Sequence, residues 1–407
     1  MQIQSSSQIK ATIQLPASKS ISNRILILNA LADSSYPVEN LSDSDDTKVL
    51  FNALNSSVND FDIGAAGTSM RFLTAFLSQK EGNWTITGSE RMKNRPIKIL
   101  VDALHKLGAE IEYLEKEGFP PLKIRGKQLQ GGNISLDGGV SSQYISALMM
   151  IAPCLKNGLQ LHLEGEIISK PYIEMTIALM KKFGTDVVWN NHDIIIQSQK
   201  YKALPFQVEN DWSAASYWYE IVALSENAEI ELIGLHENST QGDAKGRELF
   251  AKLGVETLFS DNKVFLKKKP IEINQAVLHY DFVNEPDLAQ TFVVTCCLLN
   301  IPFRFTGLQS LKIKETDRMV ALQNELKKLG YLLQTENNNT LIWNGEKIDF
   351  DKNPIISTYE DHRMAMAFAP ACLKINRIEI QNPEVVTKSY PEYWNDLSLA
   401  GFNAVES

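Results

Sequence analysis

Five times along this chain an amphipathic stretch of helical period runs into a glycine and then into strand-like residues. VDALHKLGAEI turns at Gly108, IALMKKFGTDV at Gly184, ELFAKLGVET at Gly254, NELKKLGYLL at Gly330 and DLSLAGFN at Gly401, at intervals of 76, 70, 76 and 71 residues. A glycine just past a helix end adopts the left-handed conformation that turns the chain into the next strand. KVLFNALNSSV is a weaker sixth member, with Asn55 in place of the glycine, and asparagine tolerates the same conformation. Six copies predict a repeated α/β unit. Irregular connections, such as Gly118 to Gly139, argue against a solenoid, so three units in each of two pseudo-symmetric halves is the simpler arrangement. The midpoint falls at Glu209 to Asp211, between ALPFQV and the helix-like SAASYWYEIVAL, which Asp211 or Ser213 would cap. A hinge is expected there.

Length agrees with two domains, since 407 residues exceed what one hydrophobic core usually holds. A formal net charge of −9 and a pI near 5.4 argue against a nucleic-acid or membrane-surface partner, while leaving room for a local basic pocket. Cys154, Cys296, Cys297 and Cys372 form no CxxC pair, and three lie in apolar stretches, so reduced buried thiols are expected rather than a disulfide or zinc site. The chain has no charged-then-apolar leader and no uncharged apolar run near ~18 residues, which points to the cytosol.

Basic motifs recur at predicted helix starts. In LPASKSISNR, Pro16 ends a strand and the serine-rich turn opens a helix with Ile21, Ile25, Leu28 and Leu31 on its apolar body. Lys19, Ser20 and Arg24 then lie in the first turns, where backbone N–H groups attract anions. GAAGTSMR sets Gly67 for close backbone approach to a ligand, with Thr68 as the expected helix cap. RMKNRPI places three cations before another helix, and SSQY opens one with two hydroxyls and an amide. Each of these also reads as an ordinary cap or a solvated basic turn. KIKETDR is harder to set aside: on a helix Lys314 and Arg318 form an i,i+4 pair of like charge that repels unless an anion or carboxylate lies between them. In YEDHRMAMAF, His362 and Arg363 stand directly before an apolar helix.

Taken together with LSDSDDT, GSERMKNRPI, GGVSSQY, ISKPYIEMT, NSTQGD and NEPDLAQT, all in family order, these segments make the chain resemble the 5-enolpyruvylshikimate-3-phosphate synthase family of enolpyruvyl transferases over nearly its whole length. The resemblance implies an α/β fold (α+β in some schemes) of two pseudo-symmetric domains. Each would hold three βαβαββ-type units, with the active site in a cleft that closes on substrate. An N-terminal strand that crosses over would give one domain of residues 16–210, on the 3-phosphoshikimate side. The other would be 1–15 plus 211–407, supplying much of the phosphoenolpyruvate site and the acid/base groups. The implied reaction moves the carboxyvinyl group of phosphoenolpyruvate to the 5-hydroxyl of 3-phosphoshikimate through a tetrahedral ketal, needing no metal or organic cofactor.

By the same resemblance, Lys19, Ser20, Arg24, Ser141, Ser142, Gln143, Ser169, Asp287 and Lys314 match 3-phosphoshikimate ligands, with Tyr172 close by. Lys19, Gly67, Arg95, Gln143, Arg318, His362, Arg363 and Lys388 match or neighbour phosphoenolpyruvate positions. Asp287 matches the base for the 5-hydroxyl, Glu315 the residue that delivers and later removes the methyl proton, and Lys19 is placed with them as catalytic. Three positions depart from the commonest pattern. Ala65 and Ser310 stand where many members carry Asn, and NPEVVTKSYP lacks the lysine after its Asn-Pro, a cation that Lys388 would replace. Gly67 is retained, and the segments resemble the glyphosate-sensitive class. Two other readings remain. A UDP-N-acetylglucosamine enolpyruvyl transferase would carry a loop cysteine in the first half, where this chain has only Cys154; a non-catalytic anion-binding homologue would not need Asp287, Glu315 and Lys19 together. A monomer is expected.

Overall fold

A computed structural model describes residues 1–5, 8–271, 275–375 and 377–405. The chain forms two compact units, Met1–Pro16 with Glu209–Ser407, and Ala17–Val208. Each has its own hydrophobic core. These limits lie one or two residues from the expected 16 and 210, because Pro16 O accepts from Asp211 N (2.9 Å) and Asn210 Nδ2 donates to Leu15 O (2.8 Å) and Ile233 O (3.0 Å). Both ends of the crossing are thus fastened within the larger unit.

Among the described residues, five four-stranded sheets repeat one pattern. In the Ala17–Val208 unit, Asp60–Asp62 runs parallel to Gly82–Thr87, which pairs antiparallel with Leu122–Gly126, which pairs antiparallel with Glu110–Tyr113. The spatial order is first, second, fourth, third strand, the outcome of a βαβαββ chain path. Strands Gly132–Asp137, Leu159–Glu164, Val187–Asn190 and Asp193–Ile196 repeat it. The larger unit holds three such sheets, two of them completed by the N-terminus. Ile9–Gln14 is the first strand beside Ala228–Ile233, and Gln2–Gln4 takes the fourth place between Ile378–Ile380 and Asn403–Val405. Alternation fixes the register: Ile9 and Ile13 face the core while Lys10, Thr12 and Gln14 face solvent.

The sixth unit is reduced. Its sheet has two strands, Val38–Glu39 parallel to Phe206–Gln207. This is the copy with Asn55, and the expected left-handed turn is absent there: Asn55 has φ −98°, and its side chain returns to Phe51 O (2.8 Å) instead. The five glycines do turn left-handed, with φ of +100°, +79°, +79°, +89° and +94° in chain order.

Two kinds of helix follow from composition. The glycine-terminated helices are amphipathic and keep a polar face, as in Lys98–Lys106, where Leu100, Val101, Ala103 and Leu104 are buried. Gly67–Gln79, Ser142–Ile151, Trp212–Leu224 and Ala289–Leu298 are apolar nearly all round and are buried on almost every side. Each carries hydroxyl or amide residues in its first turn: Thr68 and Ser69, Ser142 and Gln143, Ser213, and Gln290 and Thr291. Asp211, rather than Ser213, caps Trp212–Leu224, accepting from Ser213 N (2.7 Å).

Asn210 ties the ends of two parallel strands, and a Cβ on Gly234 (φ +87°) would sit 2.2 Å from its Nδ2. Asn210→Ala leaves two buried carbonyls unpaired and should cost about 1–3 kcal/mol. Urea unfolding should show a lower midpoint at unchanged slope, and an unshifted midpoint would refute the tie.

Candidate active site

In the Ala17–Val208 unit, side-chain contacts join the starts of five helices: Lys19–Leu31, Asp45–Leu54, Gly67–Gln79, Ser142–Ile151 and Lys170–Lys182. Lys19 Nζ lies 3.6 Å from Asp46 Oδ2, and Ser69 Oγ donates to Asp46 O (2.8 Å). Gln143 Nε2 donates to Thr68 Oγ1 (3.1 Å). Arg24 Nε donates to Thr176 Oγ1 (2.7 Å), Nη1 to Ser20 O (2.8 Å), and Nη2 to Ser146 Oγ (3.1 Å) and Tyr172 O (3.4 Å). Helix N-termini gathered at one end concentrate partial positive charge, the setting that attracts anions.

Arg24 is buried among neutral acceptors, and among the described residues no carboxylate pairs with it. Burial lowers its pKa to about 10, so it remains a cation at neutral pH whose charge the protein leaves uncompensated. Arg95 packs on Gly67: a Cβ there would meet its Nη1 at 2.5 Å. Arg71 Nη1 donates to Gly67 O (3.0 Å) and Nη2 to Pro96 O (3.2 Å), and Tyr144 OH also reaches Pro96 O (2.6 Å). Thr68 does not cap its helix as expected. The helix begins at Gly67 with Ala66 as cap, so Thr68 lies inside the first turn and turns to Gln143. Ser141 caps Ser142–Ile151, accepting from Gln143 N (3.4 Å), and half-exposed Ser20 stays in the first turn of its helix. Ser169 is buried before Lys170–Lys182 with φ +54°, a conformation serine rarely takes.

In the larger unit the candidates form one ion-pair cluster. Asp287 Oδ1 receives Arg318 Nη1 (3.1 Å) and Lys314 Nζ (3.5 Å), and its Oδ2 receives Arg363 Nη2 (2.9 Å). Glu315 lies between Arg318 Nη2 (3.0 Å) and Lys388 Nζ (3.0 Å). Arg318 also grips Asp361 through Nε (2.7 Å) and Nη2 (3.3 Å). Asp361 caps the helix His362–Phe368 through Arg363 N (2.9 Å), and Arg363 Nη1 approaches Tyr217 OH (3.4 Å). Burial opposes ionisation of Asp287, yet Arg363, Lys314 and Arg318 outweigh burial and the repulsion of Glu315, holding the carboxyl well below the usual range. For Arg318 burial likewise favours the neutral form, and Asp361, Glu315 and Asp287 reverse that and raise its pKa.

Two local expectations are corrected here. Lys314 and Arg318 do not share a helix face: Asp317 accepts from Met319 N (3.1 Å) and Val320 N (3.2 Å), starting the helix at Arg318 and leaving Lys314 extended after a 3₁₀ turn. A carboxylate does lie between the two cations, and it is Asp287. His362 and Arg363 form the first turn of their helix rather than preceding it. His362 is buried, its Nδ1 3.8 Å from Asp361 Oδ1. Cys154 is half-buried at the end of a 3₁₀ turn, and burial pushes its thiol up to about 11. Among the described residues no cluster of His, Cys, Asp or Glu could hold a metal ion, and no helix is long and apolar enough to cross a membrane.

Sequence reasoning left Asp46, Asp361, Asp243 and Tyr217 without a role. Asp243, in NSTQGD, is buried and bonded to Ser213 Oγ, with Oδ1 unpartnered. Burial and the negative charge of Asp287 push its pKa up to about 7, against the pull of Arg363 and Ser213. For the three aspartates the available signal was an acidic residue inside a motif; what each pairs with, and the approach of Tyr217 to Arg363, is non-local.

A family model for EPSP synthase (3-phosphoshikimate 1-carboxyvinyltransferase) matches residues 3–57 and 53–397. A 3-phosphoshikimate 1-carboxyvinyltransferase of Bacteroides fragilis (strain YCH46) is 60% identical over 397 residues, covering 97% of this chain and 96% of that protein. One from Vibrio cholerae (serotype O1, strain M66-2) is 36% identical over 418 residues, covering 95% and 96%. The solved EPSP synthase of Acinetobacter baumannii superposes with a TM-score of 0.79 at 21% identity, covering 100% of this chain and 99% of that one, a likeness of fold.

Asp243 supplies a pH test. With its folded pKa raised to about 7 from an unfolded 3.8, the native state holds a proton that the unfolded chain sheds, so this group's stabilisation is complete below about pH 4 and is lost as pH rises to about 7. Asp243→Asn cannot lose a proton. Urea unfolding at several pH values should show the variant gaining on the parent between pH 4 and 7 and keeping a constant difference above; parallel curves would exclude the raised pKa.

Proposed function

The chain belongs to the EPSP synthase family, and we propose that the two sets of residues described above serve the two substrates of that family's reaction. The activity is 3-phosphoshikimate 1-carboxyvinyl transfer, a step of the shikimate route to aromatic amino acids: phosphoenolpyruvate gives its carboxyvinyl group to the 5-hydroxyl and phosphate is released. The Ala17–Val208 unit binds 3-phosphoshikimate through Lys19, Ser20, Arg24, Ser141, Ser142, Gln143 and Ser169, helped by Asp287 and Lys314. Phosphoenolpyruvate is held by Lys19, Gly67, Arg95 and Gln143 and by Arg318, Arg363 and Lys388, with His362 alongside. The protein works as a cytoplasmic monomer.

The observation that supports this reading is that two carboxylates lie within one cluster of cations, with Arg318 bound to both. Asp287 is ionised among three cations, the state a base requires, and Glu315 stands between Arg318 and Lys388. Phosphate and carboxylate groups entering the cluster offset its cations, which raises the proton affinity of Asp287 when substrate is bound. Asp287 then takes the 5-hydroxyl proton while that oxygen forms a bond to C2 of phosphoenolpyruvate, and Glu315 gives a proton to C3. In the resulting ketal, Glu315 recovers a proton from C3, the C2–C3 double bond re-forms as the C2–O bond to phosphate breaks, and the departing phosphate takes up the proton that Asp287 removed. Arg24 supplies the complementary argument, since a buried cation with neutral partners is stabilised by a phosphate dianion.

Phosphate release on mixing the protein with both substrates, compared with a control lacking 3-phosphoshikimate, tests the reading: release must require both. Asp287→Ala and Glu315→Ala should each lower kcat by about 100-fold or more while still binding 3-phosphoshikimate. Turnover at the parent rate in either variant would remove that residue from the chemistry. Gly67→Ala pushes a Cβ into Arg95, and loss of a charged hydrogen bond predicts a KM for phosphoenolpyruvate about 10- to 100-fold higher with KM for 3-phosphoshikimate unchanged. Equal change in both constants would count against Arg95 as a phosphoenolpyruvate ligand.

A further inference from the structure

Among the described residues, eleven other than glycine have positive φ, and eight of them are Asn or Asp, which tolerate it. Ser169, Tyr359 and Glu360 are the exceptions. Tyr359 (φ +55°) and Glu360 (φ +57°) are consecutive and stand immediately before Asp361. Two strained residues in a row persist only where their surroundings over-determine them.

The helix Arg318–Lys328 does so from one face. Arg318 and Glu325 are seven residues apart, two turns of helix, and so point the same way. Arg318 grips the Asp361 carboxylate, as described above. Glu325, fully buried, accepts from Ser357 N (3.0 Å) and Tyr359 OH (2.6 Å). Its third partner, on the helix itself, is Lys328 Nζ (2.6 Å), which also donates to Ile355 O (2.8 Å). The turn itself closes through Asp361 N to Thr358 O (2.9 Å). Segment 355–361 is therefore fastened at Ile355, Ser357, Tyr359 and Asp361, all to one helix, and the left-handed pair begins at the third of these fastenings and leads into the fourth.

We propose that Glu325 is a positioning residue: through Ser357 and Tyr359 it holds the left-handed turn that aims Asp361 at Arg318 and Arg363 at Asp287. If the turn relaxed to negative φ, the start of His362–Phe368 would rotate, and Arg363 with it. Glu325 itself is about 10 Å along the helix from Arg318, so it acts on the cluster only through the turn. The competing account makes Glu325 merely the counter-ion of Lys328; the bonds to Ser357 N and Tyr359 OH do not involve that lysine. This inference rests on the reading of Arg363 as a phosphoenolpyruvate ligand.

Three variants in the full chain separate the accounts. Tyr359→Phe removes one hydroxyl and should raise KM for phosphoenolpyruvate about 3- to 10-fold, the scale of one lost hydrogen bond, with KM for 3-phosphoshikimate within about twofold of the parent. Glu325→Gln retains an acceptor oxygen and should stay within about threefold of the parent in both constants. Glu360→Gly relieves strain at an exposed position, so adding it to Tyr359→Phe should bring KM for phosphoenolpyruvate back towards the parent value. A Tyr359→Phe variant with parental KM, or with both constants raised alike, overturns the proposal, as does a Glu325→Gln variant more damaged than Tyr359→Phe. Hydrogen exchange of residues 355–363 needs no substrate and should quicken in Tyr359→Phe; unchanged exchange overturns the latch even if the parent does not turn over, a result that would instead sink the functional reading.

Discussion

Arg318, with about 1% of its surface exposed, receives carboxylates from three separate segments: Asp287 before one buried helix, Glu315 in its own approach turn, and Asp361 at the start of another helix. No apolar side chain could replace it, because each carboxylate would then lose a partner in a medium that penalises bare charge. Removing one member of a buried ion pair typically costs about 3–5 kcal/mol for that reason. The planar guanidinium fork matters as much as its charge. It addresses Asp361 with two nitrogens, leaving Nη1 for Asp287 and sharing Nη2 with Glu315, and so sets the mutual placement of the groups assigned here to base and acid.

Arg24 answers a different physical problem. It is as deeply placed as Arg318, yet hydroxyls and backbone carbonyls satisfy it and its charge stays exposed to whatever anion arrives. Neutral acceptors fix the orientation of a guanidinium without competing for its charge; a carboxylate in their place would have to be displaced. In the cluster around Asp287 the cations and carboxylates are paired with one another, and there compensation is built in. One cation is thus held ready, and the other is already committed to aiming its neighbours.

Signals in the sequence agree with the structure where the physics is local. A helix that must turn sharply into a strand needs a left-handed residue, and Gly108, Gly184, Gly254, Gly330 and Gly401 all supply one. The Lys314 to Arg318 spacing misled because Asp317, one residue inside the motif, caps the helix and moves its start past Lys314. Asn55 misled because an asparagine has a second option, bonding its side chain back to Phe51 O. Partners such as Asp46 for Lys19, Asp361 for Arg318 and Ser146 with Thr176 for Arg24 are set by which helices pack together, and no spacing along the chain encodes that. The place of Gln2–Gln4 as the fourth strand of a sheet otherwise built after residue 354 is non-local in the same sense.

Backbone strain gathers at the candidate residues in both units. Ser169 precedes the helix that supplies Tyr172 and Thr176 to Arg24, while Tyr359 and Glu360 precede the one that carries Arg363. In both places a helix must begin at a prescribed angle, so that its first turn, with the polar groups it carries, points where charge is handled. A side chain in that conformation can be fastened, as Tyr359 is to Glu325. A left-handed turn tied to a neighbouring helix therefore holds its first turn at one angle, and sharp placement is what an array of charges a few ångströms apart requires.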